Sequence, residues 1–204
     1  MDSGRLGEKT LYQPEELESL TIATSWKENR KAFYYNTKIN CMPAEGNFQI
    51  GNQSYQFNPD SDFGALDWGR GVWTYKNRWY WSSASGYIDD KPFGFNLGYG
   101  FTDRTPASEN VLIYNNKIHK LDLVTFEINT NDYLTPWKFH SNDNRLELDF
   151  QPLLDRNSSV NFGIIKSIQH QVFGKFSGKV ILDDGSELFL KDFLGFAEDV
   201  LNHY

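Results

Sequence analysis

Residues 92–101, Pro92-Phe93-Gly94-Phe95-Asn96-Leu97-Gly98-Tyr99-Gly100-Phe101, decide how the rest of the chain is read. The segment from Phe93 to Phe101 has the aromatic content and the two-residue spacing of a strand. It is also apolar on both faces, as Phe93-Gly94-Phe95-Asn96-Leu97 illustrates. A strand of that kind needs cover on both sides, which a closed barrel with an outer layer provides.

Working outward, the flanking segments read as its hairpin partners. Arg78–Tyr87 precedes it across the turn Asp89-Asp90-Lys91-Pro92. Val111–Tyr114 and Ile118–Phe126 follow, joined by Asn115-Asn116, a pair that tolerates the left-handed backbone of a tight turn. Gly51-Asn52 separates Phe48–Ile50 from Tyr55–Phe57. Asp183-Asp184-Gly185 separates Phe176–Leu182 from Glu187–Phe193, and its Asp-Gly pair is the strongest hairpin signal in the chain. Ser19–Trp26, Lys31–Ile39, Arg145–Phe150 and Phe162–Gln169 complete a series of about a dozen short strands. Such spacing indicates a barrel or sandwich, mostly antiparallel, and not a parallel α/β sheet. Helix is expected only at the ends. Residues 1–20 read as an arm or short helix with Pro14 in its first turn, and Gly195–Tyr204 as a short C-terminal helix. No repeat or linker divides the remainder, so residues 21–204 are expected to form one β domain.

Bulk composition excludes several classes. A chain of 204 residues with 20 basic and 27 acidic side chains, net charge -7, lacks the basic face that nucleic acid requires. No apolar run is long enough for a transmembrane helix, and Met1–Gln13 has no secretory apolar core. Cys41 is the single cysteine, so no internal disulfide forms. That fits a reducing compartment, and a cytoplasmic location is expected. The unusual quantity is the aromatic content, with 6 Trp, 11 Tyr and 16 Phe. Large rings build a β core, and they also line ligand cavities.

Familiar catalytic signatures are absent. Gly98-Tyr99-Gly100 lacks the third glycine and the strand-to-helix turn of a dinucleotide loop. There is no HExxH, no nucleophile elbow, and no metal-ligand spacing among His119, His140, His170 and His203. Neither a metal nor a cofactor is expected. The densest segment is Leu66-Asp67-Trp68-Gly69-Arg70-Gly71-Val72-Trp73, followed by Trp79-Tyr80-Trp81. It gathers an acid, a guanidinium and four indoles beside two glycines. Asp67 is the best candidate for a general acid, its pKa raised by the surrounding indoles. The competing reading is an Asp67–Arg70 ion pair that shapes a loop.

With the later blocks Asn96-Leu97-Gly98-Tyr99-Gly100-Phe101, Ser108-Glu109-Asn110, Pro136-Trp137 and Phe173-Gly174-Lys175-Phe176-Ser177-Gly178, the chain resembles the domain of unknown function 2804 family from about Leu20 to Tyr204. Members of that family are usually longer at the N-terminus, so the resemblance implies a short or cut form. The Asp67-Trp68-Gly69 turn before the Trp79-x-Trp81 strand is more distantly similar to lipocalin-like two-barrel proteins such as hydroxyneurosporene synthase and tocopherol cyclase. That likeness implies acid chemistry on isoprenoid lipids without metal or nucleotide.

The expected architecture is therefore an all-β, antiparallel, lipocalin-like barrel or curved sandwich. The expected ligand site has Trp68, Trp73, Trp79, Trp81, Tyr99 and Trp137 as walls and Asp67, Arg70, Asn96 and Glu109 as polar groups. Three functions compete: a binder of a hydrophobic or amphipathic small molecule, a cofactor-free acid–base enzyme on a lipid-like substrate, and a structural domain whose rings are only core. An open strand edge would also favour a homodimer by strand pairing.

Overall fold

A computed structural model describes residues 9–204; the first part of the expected N-terminal arm, Met1–Glu8, lies outside the described residues. Fourteen strands follow in order: β1 (Lys9–Leu11), β2 (Leu20–Ser25), β3 (Phe33–Ile50), β4 (Gln53–Phe57), β5 (Phe63–Val72), β6 (Lys76–Ile88), β7 (Lys91–Tyr99), β8 (Val111–Tyr114), β9 (Lys117–Lys120), β10 (Val124–Glu127), β11 (Trp137–Ser141), β12 (Leu146–Phe162), β13 (Ile165–Ile181) and β14 (Glu187–His203). Among the described residues there is no helix. Pro14–Leu17 closes as a turn through the Leu17 N–H and the Pro14 carbonyl at 3.0 Å.

The expected C-terminal helix is instead the last part of β14. Gly195–His203 pairs residue by residue with β6, from Gly195 opposite Ala84 to His203 opposite Lys76. The segment carries both Gly195 and a strand-like alternation: Ala197 and Asp199 face one side, Phe196 and Glu198 the other. With strands available on both flanks, ladder hydrogen bonds and two-sided burial outweigh a weak local helix preference.

Every strand pair is antiparallel, and the expected turns close the hairpins. Asp89-Asp90 and Asn115-Asn116 both adopt positive φ (49° and 58°; 48° and 68°), the conformation that a two-residue hairpin loop needs. Nine strands form one sheet in the order β10-β11-β12-β13-β14-β6-β7-β8-β9. This sheet curls until β10 meets β7: the Phe126 N–H donates to Tyr99 Oη at 3.1 Å, and the two rings lie edge to face at 5.2 Å. Its inner face holds the main core, where Phe95, Trp137, Phe139, Phe150 and Phe176 are fully enclosed. Beyond Phe150 the outer edge of β12 has no partner strand among the described residues.

The remaining five strands form a second sheet built around β3, which pairs β1, β2, β4 and β5. This sheet lies on the outer face of β6 and β7. The register of β3 with β5 shifts between Ile39 and Met42, and Cys41 there has φ of 57°. That bulge is the docking point. Asn40 Nδ2 donates to Ser83 Oγ at 2.7 Å and to the Phe95 carbonyl at 3.1 Å, and the Cys41 N–H donates to Ser85 Oγ at 3.0 Å. The double cover expected for β7 is present. Phe93, Phe95, Leu97 and Tyr99 point to the core, while Gly94 lies against Cys41 of β3 on the other face.

Candidate functional site

Between the two sheets lies a cleft of about 310 Å³. Strand alternation supplies its lining. On β3 the buried positions Tyr34, Asn36 and Lys38 face it; on β5 their register partners are Gly71, Gly69 and Asp67. Trp79 and Trp81 face it from β6, and Glu198 stands opposite Trp81 on β14. One end is a box of rings. Trp73 lies 6.0 Å from Trp79 and 5.5 Å from Phe101, and Tyr34 meets Phe101 edge to face at 4.9 Å. Burial raises the Tyr34 hydroxyl well above the ordinary phenol range, so it is a neutral hydrogen-bonding group.

The other end is charged. Lys38, only 5% exposed, places Nζ 2.8 Å from Asp67 Oδ2, 4.0 Å from Glu109 Oε2, and 4.2 Å from the Trp81 ring centroid. Asn36 Nδ2 donates to the other Asp67 oxygen at 2.6 Å. Glu109 is 1% exposed, and Arg104 Nη2 donates to its Oε1 at 3.1 Å. Two features deliver Glu109. Its neighbours pin the backbone: Ser108 Oγ donates to the Leu121 carbonyl, and Asn110 accepts from the Gly98 N–H at 2.7 Å. Gly98 also leaves the space that the carboxylate fills, since a Cβ there would collide with Glu109 Oε1. Asn96, between these glycines on β7, bonds Trp81 Nε1 at 2.7 Å and the Glu109 carbonyl at 2.8 Å, which locks the indole against Lys38.

Glu198 closes the third side. Gln171 Nε2 donates to Oε1 at 2.6 Å, and Trp79 Nε1 lies 3.4 Å from Oε2. Burial outweighs these donors and raises its pKa above the usual carboxylate value. From Trp81 an apolar strip crosses the same sheet face: Phe196 edge to face at 4.9 Å, then Phe173 at 6.0 Å, then exposed Leu154 opposite Phe173. A broader depression of about 780 Å³ along β10–β14 is bordered by Glu127, Lys138, Glu147, Asp149 and Lys179, which alternate in sign as cross-strand neighbours on a solvated face. No cluster of His, Cys, Asp and Glu suited to a metal occurs among the described residues, and no helix is long and apolar enough to cross a membrane.

The family model described as Domain of unknown function (DUF2804) matches residues 4–204. The chain belongs to the DUF2804 family. No protein of curated function matches it. Among solved structures, kievitone hydratase from Nectria haematococca matches at 9% identity with a TM-score of 0.49, over 97% of this chain and 64% of that one. The chain thus spans less than two thirds of that protein's length.

In this DUF2804 chain the cleft gathers Asp67, Arg70, Trp73, Trp79, Trp81 and Glu109 of the expected site. The other four lie elsewhere. Trp68 is 51% exposed and packs edge to face on Tyr35, because it alternates with Asp67 to the outer side of β5. Asn96 sits one layer behind the lining. Tyr99 and Trp137 belong to the inner core, Tyr99 stacked on Tyr80 at 4.7 Å. The expected Asp67–Arg70 pair is not formed. Residues three apart on a strand point to opposite faces, so Asp67 meets Lys38 and Arg70 borders the mouth. The expected site lacks Tyr34, Asn36, Lys38, Phe101 and Glu198, all of which line the cleft. The alternation Tyr34-x-Asn36-x-Lys38 was the available signal: polar groups at the buried phase of a strand.

Proposed function

We propose that this cleft binds an amphipathic small molecule. The observation that carries the reading is the pairing of a ring-lined end with a charged end, where Lys38 and Glu109 are buried and Asp67 reaches them from the exposed side, in one cleft whose volume is near the lower bound of ligand sites, about 300 Å³. A purely structural interface between sheets would bury apolar groups and keep charges at its rim. The strip Trp81–Phe196–Phe173–Leu154 offers an apolar continuation for a ligand body larger than the cleft. Binding is tested with a panel of retinoids, sterols, fatty acids and ring alcohols. Bound compounds quench the Trp73/Trp79 emission and raise the melting temperature, by about 2.7 kcal/mol of stabilisation at a hundredfold excess over Kd. Trp73→Ala weakens binding at least fivefold. Absence of both signals across the panel would return the cleft to a structural role.

A second reading, a cofactor-free acid–base enzyme, is favoured by Glu198. Burial raises its pKa above the ordinary carboxylate value, and it stands across the cleft from the Asp67–Lys38 ion pair, so two carboxyl groups in unlike surroundings face one space. Turnover of a bound compound that disappears in Glu198→Gln, with binding retained, supports it; ligands that bind but never change chemically exclude it.

A further inference from the structure

The cleft contains polar atoms that the protein leaves unsatisfied. Glu109 Oε2 is buried and accepts no hydrogen bond among the described residues, although its twin Oε1 is held by Arg104. Asn36 Oδ1, in a side chain 2% exposed and lining the same cleft, is also without a donor. A buried acceptor left open carries its full desolvation penalty. Two in one cleft therefore mark places where something else supplies hydrogen. Opposite Glu109 Oε2, Lys38 has donors to spare. Its ammonium carries three N–H groups, and one of them is used, by Asp67. The span from Nζ to Oε2 is 4.0 Å, too long for a direct hydrogen bond. It is short enough for one oxygen to lie within hydrogen-bond length of both atoms. Such an oxygen must accept from nitrogen and donate to a carboxylate. A hydroxyl does both. A carbonyl or ether oxygen does only the first, and an ammonium only the second. The Trp81 face lies beside this position, 4.2 Å from Nζ to the ring centroid, so whatever carries the hydroxyl also meets a flat apolar wall.

We propose that the ligand of this cleft is a ring alcohol or phenol whose hydroxyl bridges Lys38 Nζ and Glu109 Oε2, with its ring against Trp81. This rests on the binding reading above and narrows it. Glu109 is then a specificity-determining residue: it selects for a hydroxyl and against the same molecule with that hydrogen replaced. A site that hydrogen-bonds a hydroxyl rejects its capped analogue because the buried acceptor is left open again.

The test measures affinities by calorimetry for matched pairs: 2-naphthol, estradiol and borneol, each against its own O-methyl ether, with methyl glucoside as a polyol that lacks an apolar ring. At least one parent binds ten times or more tighter than its ether, and methyl glucoside binds weakest. Glu109→Gln keeps the shape. Its carbonyl oxygen turns to Arg104, so its amide N–H faces Lys38 and takes the place of the acceptor. The parent-to-ether ratio then falls below twofold, while Trp73→Leu weakens both members of a pair equally. If parents and ethers bind the wild-type protein alike, the hydroxyl assignment is wrong and the binding reading survives, with the bridging position held by water alone. If methyl glucoside is the tightest, the ligand is a sugar and the ring-alcohol assignment fails. If none of these compounds binds but a fatty acid or retinoid of the first panel does, the ring-alcohol assignment fails and the binding reading stands; if neither set binds, the binding reading fails as well. The wild-type ratio decides the matter even if Glu109→Gln does not fold.

Discussion

The two faces of β7 carry opposite designs on one strand. Inward, Phe93, Phe95 and Leu97 are fully buried in a core of rings and aliphatic chains that satisfies itself by packing. Outward, Gly94 and Gly98 give up side-chain volume so that Cys41 and Glu109 come close, Asn96 between them bonds Trp81 and the Glu109 carbonyl, and Glu109 keeps an acceptor without a donor among the described residues. The inner face obtains stability from area and density. The outer face surrenders some of both, and a polar cleft occupies the place that further packing would fill. The self-satisfied core and the proposed binding cleft are thus separated by one residue's alternation.

Mutations sharpen that comparison. The largest effect is expected inside: Phe150→Ala and Phe176→Ala each remove a fully buried ring and lower unfolding stability by about 3–5 kcal/mol in denaturant titration. Neither changes ligand affinity in the surviving folded protein. Equal costs for Trp73→Ala, a partly exposed ring on the outer side, would erase the distinction between the faces.

Next is Gly98→Ala. Its methyl group displaces the Glu109 carboxylate from Arg104 and should cost about 2–3 kcal/mol, within the range for disturbing a buried charge network. Because the clash is with that side chain, Glu109→Ala in the same chain should recover at least about 1 kcal/mol; strictly additive losses would show that the strand itself, not the carboxylate, rejects the methyl.

Smaller is the pH effect of Glu198. Burial raises its folded pKa above the unfolded value, so the folded state holds the proton more tightly. Its contribution to stability is complete below the unfolded carboxylate pKa and is lost as pH rises through the folded one. Melting temperature should fall across that window in the wild-type protein more than in Glu198→Gln. An identical slope in both would place the titration elsewhere.

The smallest effect concerns Cys41, at the bulge between the sheets. Burial pushes its thiol up to about 12, so Ellman's reagent should modify it only as fast as the sheets open locally. Rapid labelling of the folded protein would mean that the small sheet detaches readily from β6 and β7.

Much of this was legible in the chain. The alternation in Phe93–Tyr99 predicts a strand covered on both sides, and Asp89-Asp90, Asn115-Asn116 and Asp183-Asp184-Gly185 predict three of the hairpins. The block Asp67–Trp73 predicts part of the cleft. Trp68, Tyr99 and Trp137 were assigned to it because aromatic residues look alike in sequence whether they face a cleft, a core or water. Gly195–Tyr204 was misread because a short segment with two carboxylates and mixed apolar residues carries little local preference, and its strand state comes from the ladder with β6.

What the sequence determined by itself is therefore local: which segments are extended, where they turn, and which residues share a face, since these follow from backbone sterics and the two-residue period. What only the tertiary structure decided is what each face meets. Lys38, Asp67, Glu109 and Glu198 lie on or beside four different strands, tens of residues apart, and nothing in their neighbours records that they converge. Alternation leaves each side chain two directions; the curl of the nine-stranded sheet and the bulge at Cys41 that seats the second sheet upon it set the direction in which those charges find one another.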